Sequence, residues 1–168
     1  MRSVTDTVSK LRDRSWREIG LAAEAFLLLG IFRAAILLLP FRKITALMGL
    51  VQNGKGSAPP SIAALTPADV GWAIQAAAAR TPWESACLAQ ALTGMAMLSR
   101  RGIGATLYLG VAKDGNDPEA MTAHAWLRCG DTILTGAGGA ERFSVISSFS
   151  RTTADDTRRQ PHNDRTGP

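Results

Sequence analysis

The chain of 168 residues is poor in cysteine and histidine: it contains only Cys87, Cys129, His124 and His162. Two cysteines are too few for the disulfide framework of a small secreted domain. The four residues also lack the paired spacing that zinc sites use. The sequence therefore predicts no disulfide scaffold, no metal site and no cofactor, and a cytoplasmic location is the default.

A concentrated basic block is also missing, although the formal net charge is +5. The lysines and arginines are scattered through both ends and the middle, whereas a nucleic-acid-binding protein usually gathers them on one face. We therefore expect no nucleic-acid partner, and at most a mild attraction for acidic peptides or lipid head groups. Nothing in residues 1–18, which carry charges of both signs, resembles a signal peptide.

One long apolar run, from Leu21 to Leu39, follows a capping-box pattern at residues 15–18. Its length suits a membrane span, but Glu24 and Arg33 would each cost about 2.5–3.5 kcal/mol near the centre of a bilayer. We therefore predict a helical hairpin, closed at Pro40, that packs within the protein or on a partner. Peripheral membrane association is the alternative, and low solubility in the absence of partners is expected.

Composition divides the rest of the chain. A second short helix is predicted over 44–50, and the Gly- and Pro-rich stretch 51–60 is typical of a linker. Thr66 begins a helix that runs to about Arg80, since a capping Thr, a Pro and an acid follow one another there. The predicted organisation is an N-terminal helical segment, a linker, a catalytic domain and a disordered tail, over residues 1–50, 51–60, 61–150 and 151–168.

The pattern changes from helix to strand after Gly102. A helix is predicted over 85–100, and Thr81-Pro82-Trp83-Glu84 repeats the helix-start signal before it. Alternating apolar residues then indicate strands over 105–111, 122–128, 132–135 and 143–149. Helices followed by antiparallel strands are typical of an α+β fold.

Cys87 lies near the start of the 85–100 helix. Free backbone N–H groups and the helix dipole at such a position stabilise a thiolate and can bind an oxyanion. Ser85 as the capping residue would place Cys87 in the first turn, whereas Thr81 would place it deeper. A buried, inert cysteine is the competing interpretation, and it is the one we favour for Cys129.

His124 lies in the middle of a predicted strand, on the same face as Trp126. It is the only histidine outside the tail, so it is the only plausible imidazole base for Cys87. A lone histidine on a strand is more often a structural residue, and position alone leaves both interpretations open.

Three stretches together resemble the leader peptidases of lasso-peptide biosynthesis: residues 87–92, residues 98–111 and Ala-His-Ala-Trp at 123–126. The similarity covers about 16–149. It implies a papain/transglutaminase-like cysteine protease, with the nucleophile helix packed on an antiparallel sheet. It also implies removal of a leader peptide from a ribosomally made precursor, through Cys87 and His124. A lasso cyclase would then act on the product.

The resemblance also implies a third catalytic group, an Asp on the strand after the histidine. Residues 132–136 carry no carboxylate, and Asp131 at the preceding turn is the nearest acid. Asp131 is thus the candidate, with a plain turn residue, a dyad, or a carbonyl or amide in this role as alternatives. Since residues 1–50 do not resemble a leader-recognition domain, we expect a separate recognition protein.

Two other functions remain open from the sequence. A transglutaminase-like amide transferase or deamidase could use the same Cys87 and His124. A binding module without catalytic activity could present the precursor to the cyclase.

Overall fold

The computed structural model describes residues 16–54, 66–83, 85–114 and 120–151. Its helices and strands, in chain order, are α1 (Trp16–Leu38), α2 (Phe41–Leu47), β1 (Leu50–Gln52), α3 (Pro67–Ala78), α4 (Cys87–Ser99), β2 (Thr106–Lys113), β3 (Met121–Cys129), β4 (Thr132–Thr135), a 3-10 turn (Ala140–Arg142) and β5 (Ser144–Arg151).

The strands form one five-stranded sheet in the order β1-β5-β2-β3-β4. Each pair of neighbours is antiparallel. Helix α4 packs on β3, where a Cβ atom on Gly94 would come within 2.5 Å of Leu127. A side chain at position 94 would have to displace the Leu127 methyl group, so the helix and the strand approach closely there. The α+β class expected from the sequence is confirmed.

Helix α1 contributes directly to the hydrophobic core between the helices and the sheet. Leu21, Ala25, Leu29 and Phe32 lie at helical spacing and are buried against the rest of the protein. Glu24 forms salt bridges with Arg100 and Arg101 at the end of α4. The first of the two charges in the apolar run is therefore explained by an ion pair that ties α1 to α4.

The hairpin predicted around Pro40 is present, but its second half differs from the prediction. Helix α2 begins directly after Pro40, whose extended backbone (ψ 142°) caps it, and it ends at Leu47. Gly49 then turns the chain with a φ of +64°. The next residues form β1, a strand at the sheet edge that the sequence pattern missed because three residues are too few to show alternation.

Helix α3 begins as predicted, with a complete capping box. The Thr66 hydroxyl accepts a hydrogen bond from the backbone N–H of Asp69, and the Asp69 carboxylate accepts one from the N–H of Thr66 at 2.8 Å. The Thr66 hydroxyl also donates to the Asp69 carboxylate at 3.0 Å. The bond from the Thr66 backbone N–H, and then the bond from its hydroxyl, lower the pKa of Asp69.

We expect Thr66→Ala to lower the free energy of unfolding by about 1 kcal/mol, the usual cost of losing an N-cap side chain. The folded pKa of Asp69 is lowered, so its contribution is present above the unfolded pKa and is lost as pH falls through the folded pKa. Urea denaturation at neutral and acidic pH measures this. Equal stability of Thr66→Ala and wild type at neutral pH would contradict it.

The four predicted strands are present, and β4 has the predicted bounds. Strand β3 extends one residue further at each end, whereas β2 and β5 each begin one residue later and end two residues later than predicted, since a ladder continues while backbone partners are available. The start of the predicted capping box at residue 15, most of the proposed linker and the tail after Arg151 lie outside the described residues.

Candidate active site

Cys87 is the first residue of α4. Ala86 occupies the N-cap position and supplies no side-chain hydrogen bond to the helix. The first N–H groups of an α-helix have no intrahelical acceptor, so the backbone at Cys87 offers donors to a thiolate or an oxyanion. The side chain is partly exposed and its thiol is free.

The segment before α4 is a bend, and the helix-start signal at Thr81 was misleading. The Thr81 hydroxyl lies 2.9 Å from the Trp83 carbonyl and 2.8 Å from the Ser85 hydroxyl, so it closes a turn instead of capping a helix. Neither Thr81 nor Ser85 is the N-cap. The Gln90 side chain donates to the Ser85 carbonyl at 2.8 Å.

Trp83 anchors this bend to α1. Its ring lies 3.4 Å from the position of a Cβ atom on Gly30 and 5.6 Å, between centroids, from the ring of Phe26. Gly30 therefore leaves room for an indole and does not interrupt α1. The segment before Cys87 is thus held by Trp83 at one end and by the Gln90 bond to Ser85 at the other. This favours a fixed position for the Cys87 thiol.

His124 lies on β3 opposite Gly110 of β2. Its ring is 5.9 Å from Trp126 and 4.9 Å from Phe143, centroid to centroid. Trp126 in turn stacks on Tyr108. The imidazole is thus held within a row of aromatic rings, on the face of β3 that alternates with the Leu127 side.

The His124 ring makes one hydrogen bond, from Nε2 to the carbonyl oxygen of Gly136 at 2.8 Å. A carbonyl can only accept, so Nε2 carries the proton in the neutral ring. Nδ1 is then the basic nitrogen. Gly136 directly follows β4, within the segment 132–136 where the resemblance placed the missing Asp. The group that contacts the His124 ring in this segment is thus a backbone carbonyl, which is one of the alternatives to an Asp.

Asp131 does not take that role in this structure. It lies at the β3–β4 turn, is fully exposed, and pairs with Arg128 at 3.3 Å. His124 is five residues before the end of β3, which places it on the order of 15 Å away along the strand. The structure therefore does not bring Asp131 to His124, and the alternative of a plain turn residue describes its position.

Cys87 and His124 lie toward the same end of α4 and β3, but the His124 ring shares a face with Trp126 and is on the side of β3 opposite Leu127, which packs on α4. Gly94 faces Leu127, and Cys129 at the other end of β3 bonds to the Gly104 carbonyl that follows α4. The helix and strand therefore run in the same direction. Counting back along each element from the contact between Gly94 and Leu127, Cys87 and His124 each lie about 10 Å from that contact. Among the described residues no hydrogen bond joins Cys87 to His124, so their pairing stays a prediction.

Cys129 has the surroundings of a structural cysteine. Its side chain is buried and its thiol donates to the Gly104 carbonyl at 3.2 Å. Burial raises the pKa of the Cys129 thiol, which disfavours the reactive thiolate.

A cavity of about 380 Å³ lies at the other end of the sheet, between Asn53, Thr106, Tyr108, Arg128 and Ser148. Neither Cys87 nor His124 lines it. Over the described ranges, no cluster of three or more His, Cys, Asp or Glu residues could hold a metal ion.

The orienting bond to Gly136 leads to a test by substitution. Gly136 has a φ of +72°, and a Cβ atom would lie 2.5 Å from the Ala125 carbonyl oxygen, so alanine must shift the backbone. A shift of about 1 Å in a catalytic group can cost on the order of 10²-fold in rate. We therefore expect Gly136→Ala to lower the turnover number by this amount.

Gly138→Ala is the matched control, because nothing lies within 4 Å of its Cβ position. It should retain wild-type turnover. Melting temperatures of both variants separate misplacement from unfolding. Equal turnover for Gly136→Ala and Gly138→Ala, with both folded, would show that the Gly136 carbonyl does not orient His124.

Comparison with known proteins gives one match. The family model described as "Transglutaminase-like superfamily" matches residues 28–148, which contain α4, β3, Cys87 and His124. No curated protein and no solved structure matches. The match covers most of the chain and agrees with the helix-on-sheet arrangement. The chain belongs to the transglutaminase-like superfamily, whose members are usually cysteine-dependent enzymes.

Proposed function

We propose that this protein is a cysteine endopeptidase that removes the leader peptide from a ribosomally made lasso-peptide precursor. The single observation that carries the proposal is the position of Cys87 as the first residue of α4, at a helix N-terminus without a side-chain cap. This is where a thiolate gains most from the helix dipole and from free N–H donors. The superfamily match supports cysteine-based acyl transfer, and the lasso-peptide role rests on the sequence resemblance.

In the proposed reaction, the Cys87 thiolate attacks the carbonyl carbon of the scissile peptide bond. Backbone N–H groups at the start of α4 bind the oxyanion that forms. The protonated ring of His124 gives its proton to the leaving nitrogen, the C–N bond breaks, and the core peptide departs with a free amino group. The leader remains on Cys87 as a thioester.

Water completes the cycle. His124 takes a proton from the water molecule as it attacks the thioester carbonyl. The C–S bond breaks, the leader departs with a new carboxylate, and Cys87 is again a thiolate. The Gly136 carbonyl holds the His124 ring through Nε2 during both halves of the reaction.

The partners in this proposal are the precursor, a separate leader-recognition protein and a lasso cyclase that uses the freed amino group. A recognition domain fused to this chain would have to include α1 and α2. Both helices instead contribute to the same hydrophobic core as α4 and β3. This arrangement supports a recognition protein supplied in trans. A cytoplasmic location is part of the same proposal.

The test is to incubate the protein with the precursor and recognition protein encoded beside it and to measure product masses. Endopeptidase activity gives two fragments whose masses sum to the precursor plus one water molecule. An amide transferase would instead join an added amine with loss of ammonia, and a deamidase would raise the precursor mass by about one unit. Either outcome would overturn the peptidase assignment while retaining Cys87 chemistry. An unchanged precursor mass, with Cys87 unreactive to alkylation, would favour the binding module.

A further inference from the structure

The exposed side of α1 carries a continuous apolar stripe. Its members recur at spacings of three and four residues and all are exposed; they are Trp16, Gly20, Ala23, Leu27, Ile31, Ala34 and Leu38. We refer to these seven residues as the α1 stripe. Its four large members are 89%, 66%, 60% and 79% exposed, in chain order. The stripe runs for about 33 Å, the length of the helix.

The opposite side of α1 shows that this helix cannot cross a bilayer in the described fold. Leu21, Ala25, Leu29 and Phe32 pack into the core with α3 and α4. Glu24 is held by Arg100 and Arg101. By length and composition α1 could span a membrane, but spanning would remove this buried face and its ion pairs from the domain. A surface that binds the stripe would therefore approach it from outside, with α1 left in place.

Charge around the stripe identifies the chemistry of what covers it. Helices α1 and α2 together carry four cations and two anions, and one of the anions, Glu24, is already bound by the two arginines of α4. Arg42 and Lys43 are exposed at the start of α2, a few residues after Leu38, where the stripe ends. An apolar ridge with a cationic margin complements a surface that is apolar inside and anionic outside.

We propose that the α1 stripe docks on an anionic membrane surface, with α1 parallel to the bilayer plane and the stripe inserted about 5–10 Å into the head-group boundary. Trp16 at one end suits that boundary, because an indole has an apolar body and a polar N–H. Arg42 and Lys43 would contact lipid phosphates. A lipid surface accepts a protruding helix without a complementary groove.

A second copy of the chain fits these charges less well. Two α1 stripes packed face to face would bring together margins of the same sign, which disfavours association. The described part of α1 and α2 offers only Glu18 and Glu24 as counter-charges, and Glu24 is engaged within its own chain. The cations beside the stripe thus favour a lipid surface over a second copy of the chain. Dimerisation is one outcome of the test.

The test is co-sedimentation of the full chain with vesicles of phosphatidylcholine alone and of phosphatidylcholine mixed with phosphatidylglycerol. We expect binding to the anionic vesicles, and release by high salt because screening weakens phosphate contacts.

Arg42→Gln combined with Lys43→Gln should weaken binding about thirtyfold, at about fivefold for each cation near the surface. Leu27→Gln combined with Ile31→Gln should weaken it on the order of a hundredfold, since each aliphatic side chain contributes at least about tenfold.

The matched control is Val145→Gln combined with Ile146→Gln, which removes two exposed apolar side chains from β5. Vesicle binding of this variant should equal that of wild type.

Wild-type binding that is equally strong to both vesicle types would overturn the proposal. Protein that only detergent releases from the vesicles would also overturn it, because it would mean that α1 spans the bilayer. Absent vesicle binding, with a dimer that Leu27→Gln and Ile31→Gln abolish, would assign the stripe to a second copy. None of these results depends on Cys87 activity, so they are separate from the test of the peptidase.

Discussion

Cys87→Ala is expected to abolish precursor cleavage while the fold is retained. Removing the covalent nucleophile of a hydrolase lowers the maximal rate by on the order of 10⁶. The side chain is only partly buried at the first position of α4, where alanine is also compatible with a helix. A quenched time course of precursor cleavage, read by mass spectrometry, gives the rate, and the melting temperature reports the fold.

Cys129→Ala is the matched control. Its thiol is buried and bonded to the Gly104 carbonyl, so the substitution should cost stability and leave the rate largely unchanged. Full cleavage activity in Cys87→Ala would end the peptidase assignment. Loss of activity in folded Cys129→Ala, with Cys87→Ala active, would transfer the nucleophile to Cys129.

His124→Ala is expected to lower the maximal rate by on the order of 10²–10⁴, the usual contribution of a positioned general acid and base. The ring is held by Gly136, Trp126 and Phe143, so its loss also removes packing. His124→Gln offers a conservative comparison, because it keeps a polar side chain on β3 without an imidazole. Both variants should be slow, and the melting temperature of His124→Gln should lie closer to wild type.

Two controls isolate the imidazole. His162→Ala changes the only other histidine and should retain the wild-type rate. Asp131→Asn should also retain it, because Asp131 pairs with Arg128 at the turn. An unchanged rate in folded His124→Gln would remove His124 from the mechanism. A large loss in Asp131→Asn would restore the carboxylate that the resemblance implied.

The elements that the sequence predicted well are those with strong local signals. Helix α3 begins where Thr66 and Asp69 form a capping box and Pro67 is the first helical residue, and all three act locally. Strand β4 lies at its predicted bounds because Cys129 to Thr132 forms a tight turn whose Gly130 has a φ of +56°. Both signals lie within four or five residues and need no partner distant in sequence.

The elements that were missed depend on contacts distant in sequence. Strand β1 exists because Leu50 to Gln52 pairs with β5, about a hundred residues later. The helix-start pattern at Thr81 was wrong because the Trp83 side chain packs on Phe26 of α1 and holds the segment as a bend. Local propensity cannot contain either fact, because each depends on where another part of the chain lies.

The candidate site shows the same division. Cys87 and His124 could be proposed from residue type, position and resemblance. The group that orients His124 could not, because Gly136 contributes a backbone carbonyl and every residue has one. The only signal was negative: residues 132–136 hold no carboxylate, which left room for a carbonyl in that role. The cleavage rates of the Cys87 and His124 variants test whether these two residues act together.

The central claim is that Cys87 forms a covalent acyl-enzyme with the leader. Its most direct test is the intact mass of the protein after acid quenching of a reaction with the precursor and its recognition protein. The account predicts an adduct equal to the leader fragment less one water molecule, located by proteolysis on the peptide that contains Cys87 and released by hydroxylamine as a thioester. Cleavage without any adduct in the wild type and with undiminished rate in Cys87→Ala, or an adduct on Cys129, would contradict it.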